Sequence, residues 1–157
     1  MKSLRHLIAV GAVAFTMPAQ VTVPAQAGIN DPEVLIYRLS GVIDDNSGFA
    51  TSIYCTNFSG VIETVRVVIR AADSTLKANV PSNVAHLNTT VWSTRDVILY
   101  TNDINLNTGP VNLGTAAIAA TSVNVTCNAV QVQFANTNPI TAPLHMTRFS
   151  PIAGSEE

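Results

Sequence analysis

The sequence is poor in charge. Lys, Arg, Asp and Glu make up 11% of its 157 residues, against ~25% in an ordinary soluble domain. Basic residues are nowhere clustered, so the electrostatic footprint of a nucleic-acid binder is missing and no nucleic acid is expected as a partner. Of the eight Lys and Arg, Lys2 and Arg5 fall at the very start, leaving six against ten acidic residues over the rest. There are only two cysteines and no C-x-x-C, which removes the usual redox and zinc signatures. No Gly-x-Ser-x-Gly elbow occurs, and with it goes the commonest hydrolase signature. One long apolar run exists, Leu7–Met17. It is far too short for a ~30 Å hydrocarbon core, so the mature form is expected to have no membrane span.

That run is the middle of a leader. Lys2 and Arg5 precede it, Pro18 closes it, and Ala25-Gln26-Ala27 supplies the small-x-small pattern that a signal peptidase cuts. Residues 1–27 are thus expected to be a signal peptide removed before Gly28, and the product to be secreted or periplasmic. A short polar arm follows over 28–33, broken by Pro32, and a frayed tail is expected over 151–157. Export makes the cysteine pair a disulfide before anything else. Cys55 is in phase with Ile53, and Cys127 with Val123 and Val125, so both point inward. A Cys55–Cys127 bridge, closing a loop of roughly 70 residues, stabilises by roughly 4 kcal/mol on chain entropy.

In place of charge the chain carries Thr, Asn and Ser, residues that suit turns and the wet face of strands. From Val34 onward, strand and turn signals alternate with no helical period. Val34–Ile43 reads as a first strand with Leu35, Tyr37 and Leu39 inward. Phe49–Phe58 is a second. Val61–Ala71 is a third, with Val65, Val67 and Ile69 alternating against Arg66 and Arg70. A strand ending at Pro81, then Val84–Ser93 and Val97–Thr101, precede a long irregular stretch over Asn102–Leu113. The inward phase of Thr115–Phe134 switches from odd to even positions, which implies a bulge or turn near Asn128-Ala129. Leu144–Phe149 closes the domain. Seven to nine strands in one domain over 34–150 point to an all-β, antiparallel β-sandwich, loosely immunoglobulin-like. Trp92 stands too far past Cys55, and Val125 holds the place of the corner tyrosine, so a true immunoglobulin domain is not the expectation.

The runs Gly48-Phe49-Ala50-Thr51-Ser52, Ala119-Ala120-Thr121-Ser122 and Leu144-His145-Met146-Thr147-Arg148-Phe149 resemble small exported bacterial β-sandwich proteins of unassigned function. The resemblance covers most of the mature domain and implies a bacterial origin. It brings no catalytic residues with it.

The remaining polar groups divide between chemistry and turns. His86 and His145 have no His, Cys or acidic neighbour at ligand spacing. Asp103, Asn105 and Asn107 alternate as in a calcium loop but lack its Gly and Glu, so an Asx-rich turn is the plainer reading. Glu63 and Asp96 have nothing to recommend them as a carboxylate pair, and Glu63 stands near a turn where it can reach water. Three glycosylation sequons, at Asn57, Asn88 and Asn124, are what chance supplies in an Asn- and Thr-rich chain. No cofactor is implied. The surface with most functional content is the face carrying Tyr54, Phe58, Arg66 and Arg70, opposite the inward row, with Trp92 and Tyr100 on neighbouring strands. Aromatic and Arg side chains dominate interface energetics. The expected function is a non-enzymatic structural or interaction protein with a protein or glycan partner, or one self-associating through a strand edge. The alternative is a carbohydrate-binding module using exposed aromatics.

Overall fold

The computed structural model describes residues 31–138 and 140–149. The expected signal peptide, the start of the arm and the tail lie outside them. The described chain is all β: ten strands and no helix, hence no helix long and apolar enough to cross a membrane. The strands are β1 (Val34–Asp44), β2 (Phe49–Asn57), β3 (Glu63–Arg70), β4 (Leu76–Val84), β5 (Thr89–Ser93), β6 (Ile104–Asn105), β7 (Val111–Ala120), β8 (Val125–Gln133), β9 (Thr141–Leu144) and β10 (Met146–Arg148). The count exceeds the expected seven to nine because the closing strand divides at His145 and a two-residue strand forms inside the irregular stretch. All pairings are antiparallel except β5–β6, which is parallel, so the sheet is mixed.

One continuous hydrogen-bonded sheet joins all ten strands. β1 carries β7 along one edge, while its other edge carries β10 at Tyr37–Leu39 and β2 at Asp44. β2 carries β8 along one edge, and β5 then β1 along the other. The sheet therefore branches at the β1–β2 hairpin into two arms, β4-β3-β7-β1-β10 and β6-β5-β2-β8-β9. His145 joins β9 on one arm to β10 on the other. The result is a curled half-barrel. Its inner surface holds the core, with Ile36, Ile53, Val65, Val67, Ile69, Trp92, Ile118 and Val125 all at most 1% exposed.

Local chemistry explains where the strands depart from expectation. β1 does not alternate simply, because Ile36 and Tyr37 are both buried while Leu35 is half-buried. The pairing with β7 slips between Leu35 and Tyr37 and again between Ser40 and Val42. Such bulges bend a strand and change which side chains face inward. Gly41 occupies the second with φ +82°, a conformation that favours glycine. Opposite it, a Cβ at Gly114 would lie 2.7 Å from the Arg70 carbonyl oxygen, so β7 and β3 approach closely only because glycine stands there.

Pro81 does not end its strand. β4 pairs only with β3, and an edge strand tolerates a proline whose missing N–H faces away from the sheet. Residues 84–93 are not one strand: Leu87 takes φ +62° and the Asn88 N–H donates to Ala85 O at 3.0 Å, making a turn before β5. The break between β7 and β8 falls at residues 121–124, and β8 runs through Asn128 and Ala129 with unbroken register against β2. The phase switch is real but has another cause. Val97–Thr101 forms a turn rather than a strand, and Val97 and Tyr100 cover Ala50, Val132 and Phe134 on the opposite face of the sheet. Both faces are buried at that end.

Candidate functional site

Cys55 and Cys127 are bonded. They face each other directly across β2 and β8, with Cα atoms 4.1 Å apart and both side chains in the core. The bridge therefore ties neighbouring strands of one arm rather than one arm to the other.

The other expected site residues do not gather. β2 and β3 lie in different arms, so Tyr54 and Phe58 share no face with Arg66 and Arg70. The expected face assumed that consecutive strands pair, but β7 and β1 intervene. Tyr54 meets Tyr100 edge-on, ring centroids 5.6 Å apart and planes at 87°, with the two hydroxyls hydrogen-bonded. Burial, and then the bond to Tyr100, push the Tyr54 phenol well above its ordinary value. Phe58 is exposed at the end of β2, and Trp92 is wholly buried. Arg66 is held bidentately by Glu33 at 2.6 and 2.9 Å and also bonds Asn79; the Glu33 bond raises its pKa further. Asp103 accepts the Val97 N–H, and Asn105 accepts the Asn107 N–H at 2.7 Å, the work of a turn. Among the described residues no group of three His, Cys, Asp or Glu is placed to hold a metal. His86 accepts the Gly60 N–H through Nδ1. Glu63 does not reach water: it is fully buried with Oε2 on the Thr121 hydroxyl, while Oε1 has no partner. The Thr121 turn that covers it comes from the chain between β7 and β8, far along the sequence.

Arg70, of the expected face, opens onto a concavity. A groove of about 510 Å³ runs over the solvent face of the first arm, between β3 and β10. Two cross-strand rows build it. Arg70 stands opposite Thr115, and Thr115 opposite Ser40. In the next row Val68 stands opposite Ala117, Ala117 opposite Arg38, and Arg38 opposite Thr147. The middle strand thus offers small side chains between Arg70 of one row and Arg38 of the other, which is why the surface is hollow. His145 and Phe149, flanking β10, complete the wall.

Each arginine is held by its local structure. The Ala71–Thr75 turn closes through the Ala71 N–H on Thr75 O at 2.9 Å, and Asp73 accepts the Thr75 N–H. The turn presents the Ser74 carbonyl to Arg70 Nη1 at 2.9 Å. Arg38 sits over the Phe149 ring, 5.4 Å from its centroid, a cation–π contact that leaves the N–H edges of the guanidinium unused. The ion pairs among the described residues are Arg66–Glu33 and Arg95–Asp44, so neither groove arginine has a carboxylate. Sequence reasoning missed Arg38, Ser40, His145, Thr147 and Phe149. The signal available was the alternation of Arg38 and Ser40 with Tyr37 and Leu39, which marks an outer face without saying what stands beside it.

No protein-family model matches the chain, and neither does any curated protein. The crystal structure of Thermotoga maritima 1070 is similar with a TM-score of 0.46 and 12% identity, over 74% of this chain and 96% of that one. At that score the likeness carries no argument about function.

Proposed function

We propose that this chain is an exported, non-enzymatic interaction protein that meets its partner in the groove over β1, β3, β7 and β10. The observation that carries the reading is a concavity of about 510 Å³ lined by two arginines, a histidine and three hydroxyl side chains, within the size range of ligand sites. The leader, with its Ala25-Gln26-Ala27 cleavage pattern, supports a secreted or periplasmic setting, as does the disulfide. In this reading the two arms of the curled sheet act as the two layers of a sandwich, and the solvent face of one layer is the working surface. The carbohydrate-module alternative has less support, since stacking on sugar rings needs coplanar exposed aromatics. Tyr54 and Tyr100 stand at 87° and Trp92 is buried.

The test is hydrogen–deuterium exchange on the exported protein, with and without an envelope extract of the producing cell. Protection is expected along β1, β3, β7 and β10. It should be lost in Ala117→Trp, which fills the groove floor. Protection confined to other strands, or unchanged by Ala117→Trp, would overturn the reading.

A further inference from the structure

We propose that the groove is a site for a small hydroxylated organic anion, a sugar acid or a sulfate or phosphate ester of a sugar, clamped between Arg38 and Arg70. The inference deepens the binding reading above and rests on it. Arg38 and Arg70 rise from β1 and β3, on either side of β7. Strands lie roughly 4.8 Å apart and residues rise roughly 3.4 Å along them, so the two arginines, two strands apart and two residues out of step, spring from Cα atoms about 12 Å apart. Both line the hollow between them. Two guanidiniums sharing one concavity repel each other, and among the described residues no acid pairs with either. The chain's described ion pairs are spent on Arg66 and Arg95, although acidic residues outnumber Lys and Arg by ten to eight in the whole sequence. An anion in the hollow relieves that repulsion.

The donors are also prepared. Arg70 is pinned through one N–H to the Ser74 carbonyl, and Arg38 is laid on Phe149. A guanidinium has five N–H donors in a rigid fork, so each keeps donors for the planar or tetrahedral oxygens of a carboxylate, sulfate or phosphate. Side chains already held in place lose less freedom on binding. The floor adds the hydroxyls of Ser40, Thr115 and Thr147, which can give and accept hydrogen bonds with ligand hydroxyls. The volume suits roughly one or two sugar rings. Together these favour a compact hydroxylated anion over a long acidic peptide.

The exported protein made from the full chain is titrated at low ionic strength with D-glucuronate, glucose 6-phosphate and glucose 6-sulfate, with D-glucose as the neutral control. Saturable binding with a millimolar or tighter Kd is expected for at least one anion and not for D-glucose, and the arms tell carboxylate from phosphate and sulfate. Arg38→Gln and Arg70→Gln should each weaken it about tenfold. Both residues are exposed, so thermal unfolding should be unchanged. Arg66→Gln, whose guanidinium Glu33 already neutralises, should leave affinity within twofold of wild type, a window set against that tenfold loss. Added salt should weaken binding. Equal binding of D-glucose overturns the proposal, as does a double Arg38→Gln/Arg70→Gln variant of unchanged affinity, or no saturation by any of the three anions. Binding of a poly-glutamate peptide where the sugar anions fail overturns it in favour of an acidic peptide. If these anions fail while the extract still protects the groove strands, only the ligand class falls; if both fail, the binding reading falls with it.

Discussion

Asp45 holds the tip of the β1–β2 hairpin on a single carboxylate oxygen. Its Oδ1 accepts the N–H groups of Ser47, Gly48 and Phe49 at 2.9, 2.8 and 2.8 Å, while Asn46 turns the chain at φ 60°. Those bonds, the one from Phe49 foremost, hold the carboxyl down at about 2. An unfolded Asp titrates near 3.9. A depressed folded value means that the stabilisation is fully present above about pH 4 and fades as pH falls toward 2. The group is open to solvent, which screens the effect and keeps it small. The expected outcome is a carbon-detected NMR titration of Asp45 with its midpoint near 2. In Asp45→Asn the acid limb of the stability curve should lose this contribution; an Asp45 midpoint at the ordinary value would refute it. The Asp45-Asn46-Ser47-Gly48 string is built of residues that favour tight turns, and Asp45 ties down the tip of the corner where the two arms join.

Among the elements, β4 is the longest strand with an unpaired edge, so it bears most on association. It pairs on one side only, and a bare edge strand invites another chain. Pro81 faces Arg66 in the ladder and lacks an N–H, so the backbone groups turned outward are those of its own phase, which include Lys77, Asn79 and Asn83. A missing donor and a lysine on that row are what discourage edge pairing. Pro81→Thr restores the donor and a β-favouring side chain. Light scattering should then show concentration-dependent association stronger than that of the parent chain; a variant that associates no more than the parent would show that Pro81 does not guard the edge. The same strand marks where sequence reading stops. β3 was legible because one of its faces is wet, as Arg66 and Arg70 against Val65, Val67 and Ile69 show. Pro81 misled because whether a proline ends a strand depends on what lies beside it. Ala129 and Val132 misled because a phase switch looks the same whether a bulge or a covering turn causes it. Of the groove, Arg70 was legible as an outward residue. Its partnership with Arg38, outward on β1, was not, since only the placing of β7 between β1 and β3 brings the two together.

For the whole molecule, the disulfide is a constraint on the unfolded chain more than a strut of the folded one. Nine residue pairs already fix β2 against β8, with Cys55 and Cys127 one of them. The arms are joined elsewhere, by the β1–β2 hairpin, by the passage through His145 and by the shared core. Removing the bridge leaves each of those intact. What it frees is a loop with a sequence separation of 72, for which chain entropy gives roughly 4 kcal/mol. A domain of this kind has about 5–15 kcal/mol to lose. The double variant Cys55→Ala/Cys127→Ala, which puts no hydroxyl into the core, should therefore still fold. We expect near-ultraviolet circular dichroism and amide spectra like those of the parent, a midpoint of urea unfolding lowered by roughly 4 kcal/mol of stability, and a steeper denaturant slope because the unfolded chain exposes more surface. Anion binding in the groove should survive, because the bridge lies in the other arm. A variant that loses its cooperative transition would show instead that the bridge holds the native sheet itself in register. The groove would then depend on oxidation, and reduction of the parent protein would release its ligand.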